Sequence, residues 1–511
     1  MVDTSRKVEQ IVSQFIEKDK YFTINRARQY GKSTMLTAIR ERLKNEYYVL
    51  SISFEWAETF FKSDYYLADG FVKLTAKQME LIDFPEELRE RWTRPLDKER
   101  AFLDLDDRIT ELCQDSPREI ILMIDEIDKA ADNELIMLFL GLLRDKYIRR
   151  SAGMDCTFKS VILAGVYDVK NLKIKIRDEV EHRFNSPWNI AANFKIEMSF
   201  SAQEIADMLL EYRKDHGLSF DQNWFGGQIY DYTSGYPYLV SRICEILDTE
   251  ICYEDEFGTK EAVWTQRGLR RAVKVLQEEE NTLSEDLVKK LDENADLKKM
   301  VYRIVIKREM IPFTIDDSLI QLGVSFGWFR ESDGKVMISN RIFETRICNK
   351  LIQEQSQSEI FRLAGMERFR LKSAETLNMD LIVERFAIHY KEIYGKRSKD
   401  FLENEARLIF LSYLKPVING DGNYYQESET ADSTRTDIII DYHSIQYVVE
   451  VKIWHGESYE EAGREQLCGY LERYNLSKGW LISFCFNKNK DNLVGIKTIE
   501  VNGKVICEAV V

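Results

Sequence analysis

Short apolar runs and amphipathic stretches alternate through the first part of the chain. Apolar runs at 21–24, 47–54, 119–124, 160–164 and 195–198 have the length of strands. Helical periodicity lies between them, as at 34–44 and 134–149. Alternating strand and helix predicts a parallel sheet covered by helices over residues 1–198. The rhythm changes at Ser201-Ala-Gln-Glu204, a capping box followed by the apolar stripe Ile205, Met208, Leu209 and Tyr212. Helices are expected from there to about Arg271, broken at Gly235-Tyr-Pro237. The acidic stretch 278–296 is expected to link to a mixed unit at 297–350. There, helices precede a hairpin turning at Ser332-Asp333-Gly334, and Asp-Gly is a strong tight-turn signal. From about residue 380 the pattern becomes helix, strands, helix, strand, with helices over 401–414 and 459–474 and a last strong strand at 479–486.

The expected fold is therefore multidomain α/β. Residues 1–198 are expected to form a core with a parallel sheet, 199–277 a helical lid and 278–355 a winged-helix-like unit. Residues 356–390 form a helical linker and 391–511 a C-terminal αβββαβ unit. The 511 residues are 44% hydrophobic and 31% charged, enough to bury several cores. No uncharged apolar run reaches about 20 residues, so no membrane span is expected. The polar start MVDTSRKVEQ does not resemble a signal peptide. Eight dispersed cysteines, none paired as C-x-x-C, fit reduced core residues in a cytoplasmic protein. The net charge of −15 argues against a non-specific nucleic-acid coat. Basic clusters at 146–150, 267–274 and 396–399 are candidates for a local groove, although solvated helix faces are the simpler reading of each.

Residues 26–34, RARQYGKST, follow an apolar run and precede a helical pattern. Gly31-Lys32-Ser33 is the end of a P-loop: backbone N–H groups at a helix N-terminus cradle phosphates, the lysine reaches the outer phosphates and the serine ligates Mg2+. The full pattern has glycine five residues earlier, where this chain has Arg26. In ILMIDEID, 121–128, four apolar residues lead into Asp125 and Glu126. A strand ending in an acidic pair is where a Walker B site places a magnesium carboxylate and a water-activating carboxylate. Arg177 and Arg183 are arginine-finger candidates, with ordinary surface arginines as the plainer reading.

A second constellation lies in TRTDIIIDYHSIQYVVEVKIW, 434–454. A hairpin turning at His443-Ser444 pairs Tyr442 with Ile445 and so sets Asp437 opposite Glu450. Period two then puts Lys452 on the face of Glu450. Two carboxylates would hold divalent cations, and the lysine would orient a water or offset charge on a phosphodiester. The bland alternative is a charge-paired edge hairpin.

Together these stretches resemble a bacterial family that joins an AAA-type ATPase-like domain to a PD-(D/E)XK nuclease-like domain. The further carriers are SPWNIAANF, TSGYPYLVSRIC, VMISNRIFETRI, LKPVINGDG and VEVKIWHGESYEEAGREQLCGYLE. That family usually has Arg-Pro-Arg-Arg-Phe before its Gly-Lys-Ser, so the missing first glycine is normal for it, while Ala27, Gln29 and Tyr30 depart from it. The resemblance implies an ATP and Mg2+ site at Arg26, Gly31, Lys32, Ser33, Thr34 and Asp125, with Glu126 as hydrolytic base. It implies a nuclease site at Asp437, Glu450 and Lys452, with Mg2+ or Mn2+ on the carboxylates. Glu405, in NEARLIF, and Gln466 match accessory positions of that superfamily. The expected activity is an ATP-regulated, metal-dependent nuclease acting on nucleic acid, DNA rather than RNA, with self-association and a role in defence or mobile elements by analogy. The alternative is an ATP-dependent switch or scaffold whose nuclease fold binds a partner without cutting. A transcriptional regulator built on the winged helix is disfavoured by Asp316-Asp317 and the chain's acidity.

Overall fold

The computed structural model describes residues 2–55, 57–127, 134–166, 188–307, 309–354, 357–373, 375–394, 399–419, 421–425, 438–443, 445–454, 457–485 and 495–511. The chain forms two compact units. One is Met1–Met208 with Tyr236–Tyr238 and Val324–Gly327, and the other is Leu209–Gly235, Leu239–Gly323 and Trp328–Val511.

The first unit is built on β1 (Phe22–Asn25), β2 (Tyr48–Ser53), β3 (Ile120–Asp125) and β4 (Ser160–Gly165), in the order β1-β4-β3-β2 and parallel throughout. Its strands are unbroken apolar runs because both faces are covered. Successive residues feed opposite cores. Leu122 and Ile124 join Leu50, Phe71 and Phe139 on one face. Ile121 and Met123 join Ile24, Met35 and Ile39 on the other.

The expected strand at 195–198 does not form. Beside β1 there is a single parallel bridge, Phe22 to Ala192, with Ala192 N donating to the Tyr21 carbonyl at 2.8 Å. Ile196 and Met198 are buried against Val8 and Ile11, which explains their strand-like alternation. The Ile196 carbonyl, however, is taken by the Arg26 guanidinium at 2.9 Å instead of by a ladder.

The capping box at Ser201 is reciprocal. Ser201 Oγ accepts from Glu204 N at 3.2 Å and Glu204 Oε2 accepts from Ser201 N at 2.8 Å, opening helix Ala202–His216. The cations of the 146–150 cluster are engaged by other protein groups. Lys146 is fully buried and donates to Asp155 Oδ2 at 3.0 Å and to Thr110 Oγ1 at 2.7 Å. Arg150 donates to the Lys159 carbonyl at 3.0 Å.

In the second unit the acidic stretch is helical. Asn281 caps helix Thr282–Glu293, and Ala295–Val305 follows. The expected hairpin is present as β5 (Phe329–Ser332) and β6 (Lys335–Ile338), with Ser332 opposite Lys335. Asp333 and Gly334 both have positive φ, as a two-residue turn of this hand requires. The 267–274 basic cluster is neutralised: Arg267 pairs with Glu256, Arg270 lies 3.6 Å from Asp441, and Arg271 pairs with Glu254 at 2.7 Å. Residues 396–398 of the third cluster lie outside the described residues.

The C-terminal part runs helix Lys399–Ile418, β7 (Gly422–Tyr425), β8 (Ile438–Tyr442), β9 (Ile445–Ile453), helix Glu457–Arg473 and β10 (Lys478–Phe484), the expected αβββαβ order. Two strands the pattern did not predict follow, β11 (Gly495–Val501) and β12 (Lys504–Val510), giving a six-stranded mixed sheet ordered β11-β12-β10-β9-β8-β7. β11 is largely exposed and lacks an apolar alternation, while Asn502-Gly503 between the strands is a tight-turn signal. Helices Glu359–Leu371 and Met379–Tyr394 belong to this unit. Phe386 packs its ring against Phe410, Tyr413 and Phe484 at 5.0, 5.5 and 6.0 Å.

Lys146 gives a test of the first unit. Its replacement by methionine fits the site but strips Asp155, which is 3% exposed, of a cation, and should cost about 3 kcal/mol by urea denaturation. Burial pushes the Asp155 carboxyl up, but Thr110 and Lys146 outweigh it, so its folded value lies below the usual range. The wild-type advantage should therefore hold at neutral pH and fade as pH falls through that lowered value, below about pH 4.

Candidate nucleotide site and carboxylate cluster

All four strands of the parallel sheet end at one edge, where the loops after β1 and β3 meet. Gly31 adopts φ +79°, a left-handed cap ahead of helix Lys32–Leu43. Lys32 is buried, and its Nζ donates to the Arg26 and Ala27 carbonyls at 3.0 Å each. It thus curls into the loop whose backbone would surround a phosphate. Ser33 Oγ donates to Asp125 Oδ2 at 2.5 Å, a charge-assisted bond that joins the two P-loop strands' sequence motifs in space. Thr34 is exposed on the same first turn. Asp125 Oδ1 accepts from Glu126 N at 2.9 Å, and Glu126 is held at φ +54°. A left-handed non-glycine residue is uncommon and stores strain of about 1 kcal/mol or more, and such residues concentrate at working sites.

Arg26 does not point its side chain at this site. Its guanidinium bonds the Asn25 and Ile196 carbonyls and lies 5.5 Å from the Phe194 ring, so it contributes its carbonyl to Lys32 and anchors the loop. The sequence pattern did not reveal two further partners of the loop. Tyr236 hydroxyl donates to the Arg28 carbonyl, and its ring meets Tyr30 edge-on at 4.7 Å. Gly327, at φ +74°, sits so close that a Cβ there would fall 2.6 Å from Ala27 Cβ. Gly235-Tyr-Pro237 reads in the sequence as a helix break within one of the family-like stretches, without indicating a contact to this loop, and nothing local marks Gly327. Arg177 and Arg183 lie outside the described residues.

In the mixed sheet, β8 pairs with β9 from Tyr442–Ile445 to Ile438–Val449, the register the hairpin argument requires. Asp437 lies outside the described residues. Glu450 is 2% exposed in the middle of β9, and Lys452 Nζ stands 3.5 Å from its Oε1. Lys452 Nζ also donates to Gln466 Oε1 at 2.9 Å, from helix Glu457–Arg473. Gly463 on that helix leaves room for the lysine: a Cβ there would lie 3.3 Å from Lys452 Cδ. Glu450, Lys452 and Gln466 are thus brought together. Glu405 is bonded elsewhere, its Oε1 accepting from the Tyr302 hydroxyl at 2.7 Å. Burial and this carboxylate both push the Tyr302 phenol well above its ordinary range. Among the described residues no group of three or more His, Cys, Asp and Glu is placed to hold a metal. Nor is any described helix long and apolar enough to cross a membrane.

The profile of the AAA-like domain matches residues 3–347, which spans the parallel sheet, the P-loop edge and the helices beyond. The chain belongs to the AAA-like domain family. Among solved structures it is similar to the Walker-type ATPase PABY2304 of Pyrococcus abyssi, at 16% identity and a TM-score of 0.42, covering 68% of this chain and 96% of that one. It is also similar to the ORC1 protein of Aeropyrum pernix in complex with DNA, at 10% identity and TM-score 0.33, covering 70% and 94%. The ORC2 protein of the same organism, in ADPNP-ADP complexes, matches at 11% identity and TM-score 0.36, covering 69% and 95%. All three are distant likenesses. None of the curated proteins matches the chain.

The donor set of this AAA-like site fits a nucleotide with its divalent cation: one lysine for phosphate oxygens, and a hydroxyl and a carboxylate, hard oxygen donors, for Mg2+. Lys32→Ala should abolish binding of a fluorescent ATP analogue while leaving the melting temperature within a few degrees. Unchanged affinity would place the nucleotide elsewhere.

Proposed function

We propose that the protein binds and hydrolyses ATP at the Lys32, Ser33 and Asp125 site, and that nucleotide state governs a metal-dependent, phosphodiester-cleaving C-terminal part. The observation that carries the first half is the 2.5 Å bond between Ser33 Oγ and Asp125 Oδ2 beside the folded-in Lys32. On binding, Lys32 exchanges the Arg26 and Ala27 carbonyls for phosphate oxygens. Ser33 and Asp125 would hold Mg2+, which would supply positive charge beside the phosphates. Glu126 takes a proton from the attacking water, its backbone fixed by the bond from its N–H to Asp125.

The second half is supported by a glutamate 2% exposed, with a lysine on the same face and a glutamine behind that lysine. A buried carboxylate is costly without a cation beside it. Glu450 and Asp437 would hold Mg2+ or Mn2+, which lowers the pKa of a bound water. Gln466 holds Lys452 in place, and Lys452 orients the water or offsets charge on the phosphodiester. The αβββαβ order of the surrounding elements supports the PD-(D/E)XK reading. One observation favours a non-cutting switch instead: Glu405 is tied to Tyr302 and stands apart from the cluster in its bonding.

Two experiments test this reading. Glu126→Gln should keep ATP affinity and lose turnover by about 100-fold or more, as removal of a general base does. Phosphate release at the wild-type rate from that variant would remove Glu126 from the reaction. With DNA and RNA substrates and Mg2+ or Mn2+, Asp437→Ala and Glu450→Ala should each eliminate cleavage and weaken metal binding by calorimetry. Lys452→Ala should spare the metal and lose most activity, and all three should bind ATP normally. Wild-type protein that cuts nothing, with or without ATP, would leave the switch as the better description.

A further inference from the structure

Helix Glu359–Leu371 turns Ile360, Ala364 and Leu371 into the second unit, where Gly365 comes near Pro416 of helix Lys399–Ile418. Its opposite face carries Arg362, Met366, Phe369 and Arg370, with Arg368 on the flank. Phe369 is 76% exposed and Met366 68%, although both are large apolar side chains. Arg368 lies over the Phe369 ring at 4.6 Å, and Arg362 Nη1 contacts Met366 Sδ at 3.5 Å. Among the described residues Arg368 and Arg370 make no ion pair, and Arg362 has only Glu359 at 3.9 Å. The helix's other acid, Glu367, is engaged by Arg385 and His389. This contrasts with the 146–150 and 267–274 clusters, whose cations meet carboxylates or carbonyls.

We propose that this face, Arg362, Met366, Phe369 and Arg370 with Arg368, is a docking surface for single-stranded nucleic acid. The proposal rests on the nucleic-acid reading above and assigns to it a place on the chain. The chain's net charge of −15 repels a polyanion, so contact requires a local surface where guanidinium groups are clear of carboxylates. An exposed aromatic ring beside arginines matches what unpaired bases and their phosphates require: a stacking partner for the base and cations for the backbone. A base-paired duplex hides its base faces, so it offers the phosphates but not the stacking.

The test is fluorescence anisotropy of a labelled oligo(dT) of about 20 nucleotides with the full-length protein, in EDTA and over a range of salt. EDTA separates the two readings, because cleavage is silent and only binding is scored. Phe369→Ala should weaken binding about tenfold, the worth of one stacked base, with the salt dependence unchanged. Arg368→Ala with Arg370→Ala should weaken it and reduce the slope of log affinity against log salt by about 1.4. A duplex of the same length should bind less tightly and be insensitive to Phe369→Ala. Because all these side chains are exposed, thermal melting should be unchanged. Variants that bind oligo(dT) as the wild type does, in a protein that still cuts, would overturn the surface and spare the nuclease reading. A wild type that binds no oligo(dT) at low salt would overturn the surface outright. A dimer dispersed by Phe369→Ala, with binding unaltered, would assign the patch to a second copy of the chain.

Discussion

The nucleotide site depends on the parallel register of one small sheet. Because β1, β3 and β4 run in the same direction, their carboxyl ends lie at one edge, with Asn25 opposite Gly165 and Ile124 opposite Leu163. That geometry carries Ser33, one turn into the helix after β1, to the carboxylate ending β3, about ninety residues later in sequence. In open α/β sheets ligands bind at this edge because loops there are free to vary while the strands hold position. An antiparallel strand in place of β3 would send Asp125 to the opposite edge and leave Ser33 without its carboxylate partner.

Buried charge is the second recurring theme, and it takes different forms. Lys146 is a structural cation, saturated by Asp155, Thr110 and a backbone carbonyl. Glu508, 1% exposed in the middle of β12, is likewise enclosed by Arg464 and Lys497, 3.0 Å away. Burial pushes its carboxyl up, and these two cations more than reverse that. Glu450 is as deeply buried but stands 3.5 Å from Lys452, which donates its shorter bond, 2.9 Å, to Gln466.

The P-loop is also gripped from outside its own strand and helix. Lys32 holds the Ala27 carbonyl, and Ala27 is the residue whose side chain Gly327 approaches so closely that an added Cβ would force a shift. Tyr236 grips the next residue's carbonyl. Residues 236–238 and 324–327 thereby belong to the sheet unit although their neighbours in sequence belong to the other.

Much of this was legible from local pattern. The apolar runs of β1 to β4, the capping box at Ser201, the Asp333-Gly334 turn and the β8–β9 register each follow from periodicity or turn chemistry over a few residues, where one short stretch carries all the information. Gly-Lys-Ser and Asp125-Glu126 announced their chemistry for the same reason. What the sequence could not decide was which surface each charged or apolar residue would meet. The run at 195–198 alternates like a strand, yet its carbonyl went to Arg26. Arg26 reads as part of the nucleotide site, and there its carbonyl accepts from Lys32 while its guanidinium bonds the Asn25 and Ile196 carbonyls. The cations of 146–150 and 267–274 read as a groove, yet Asp155, Glu254 and Asp441 neutralise them, while Arg368 and Arg370 remain facing water. Gly327 carries no local signal at all. Periodicity records whether a side chain is buried, but the partner that buries it is supplied by segments tens or hundreds of residues away, and only the folded chain brings those together.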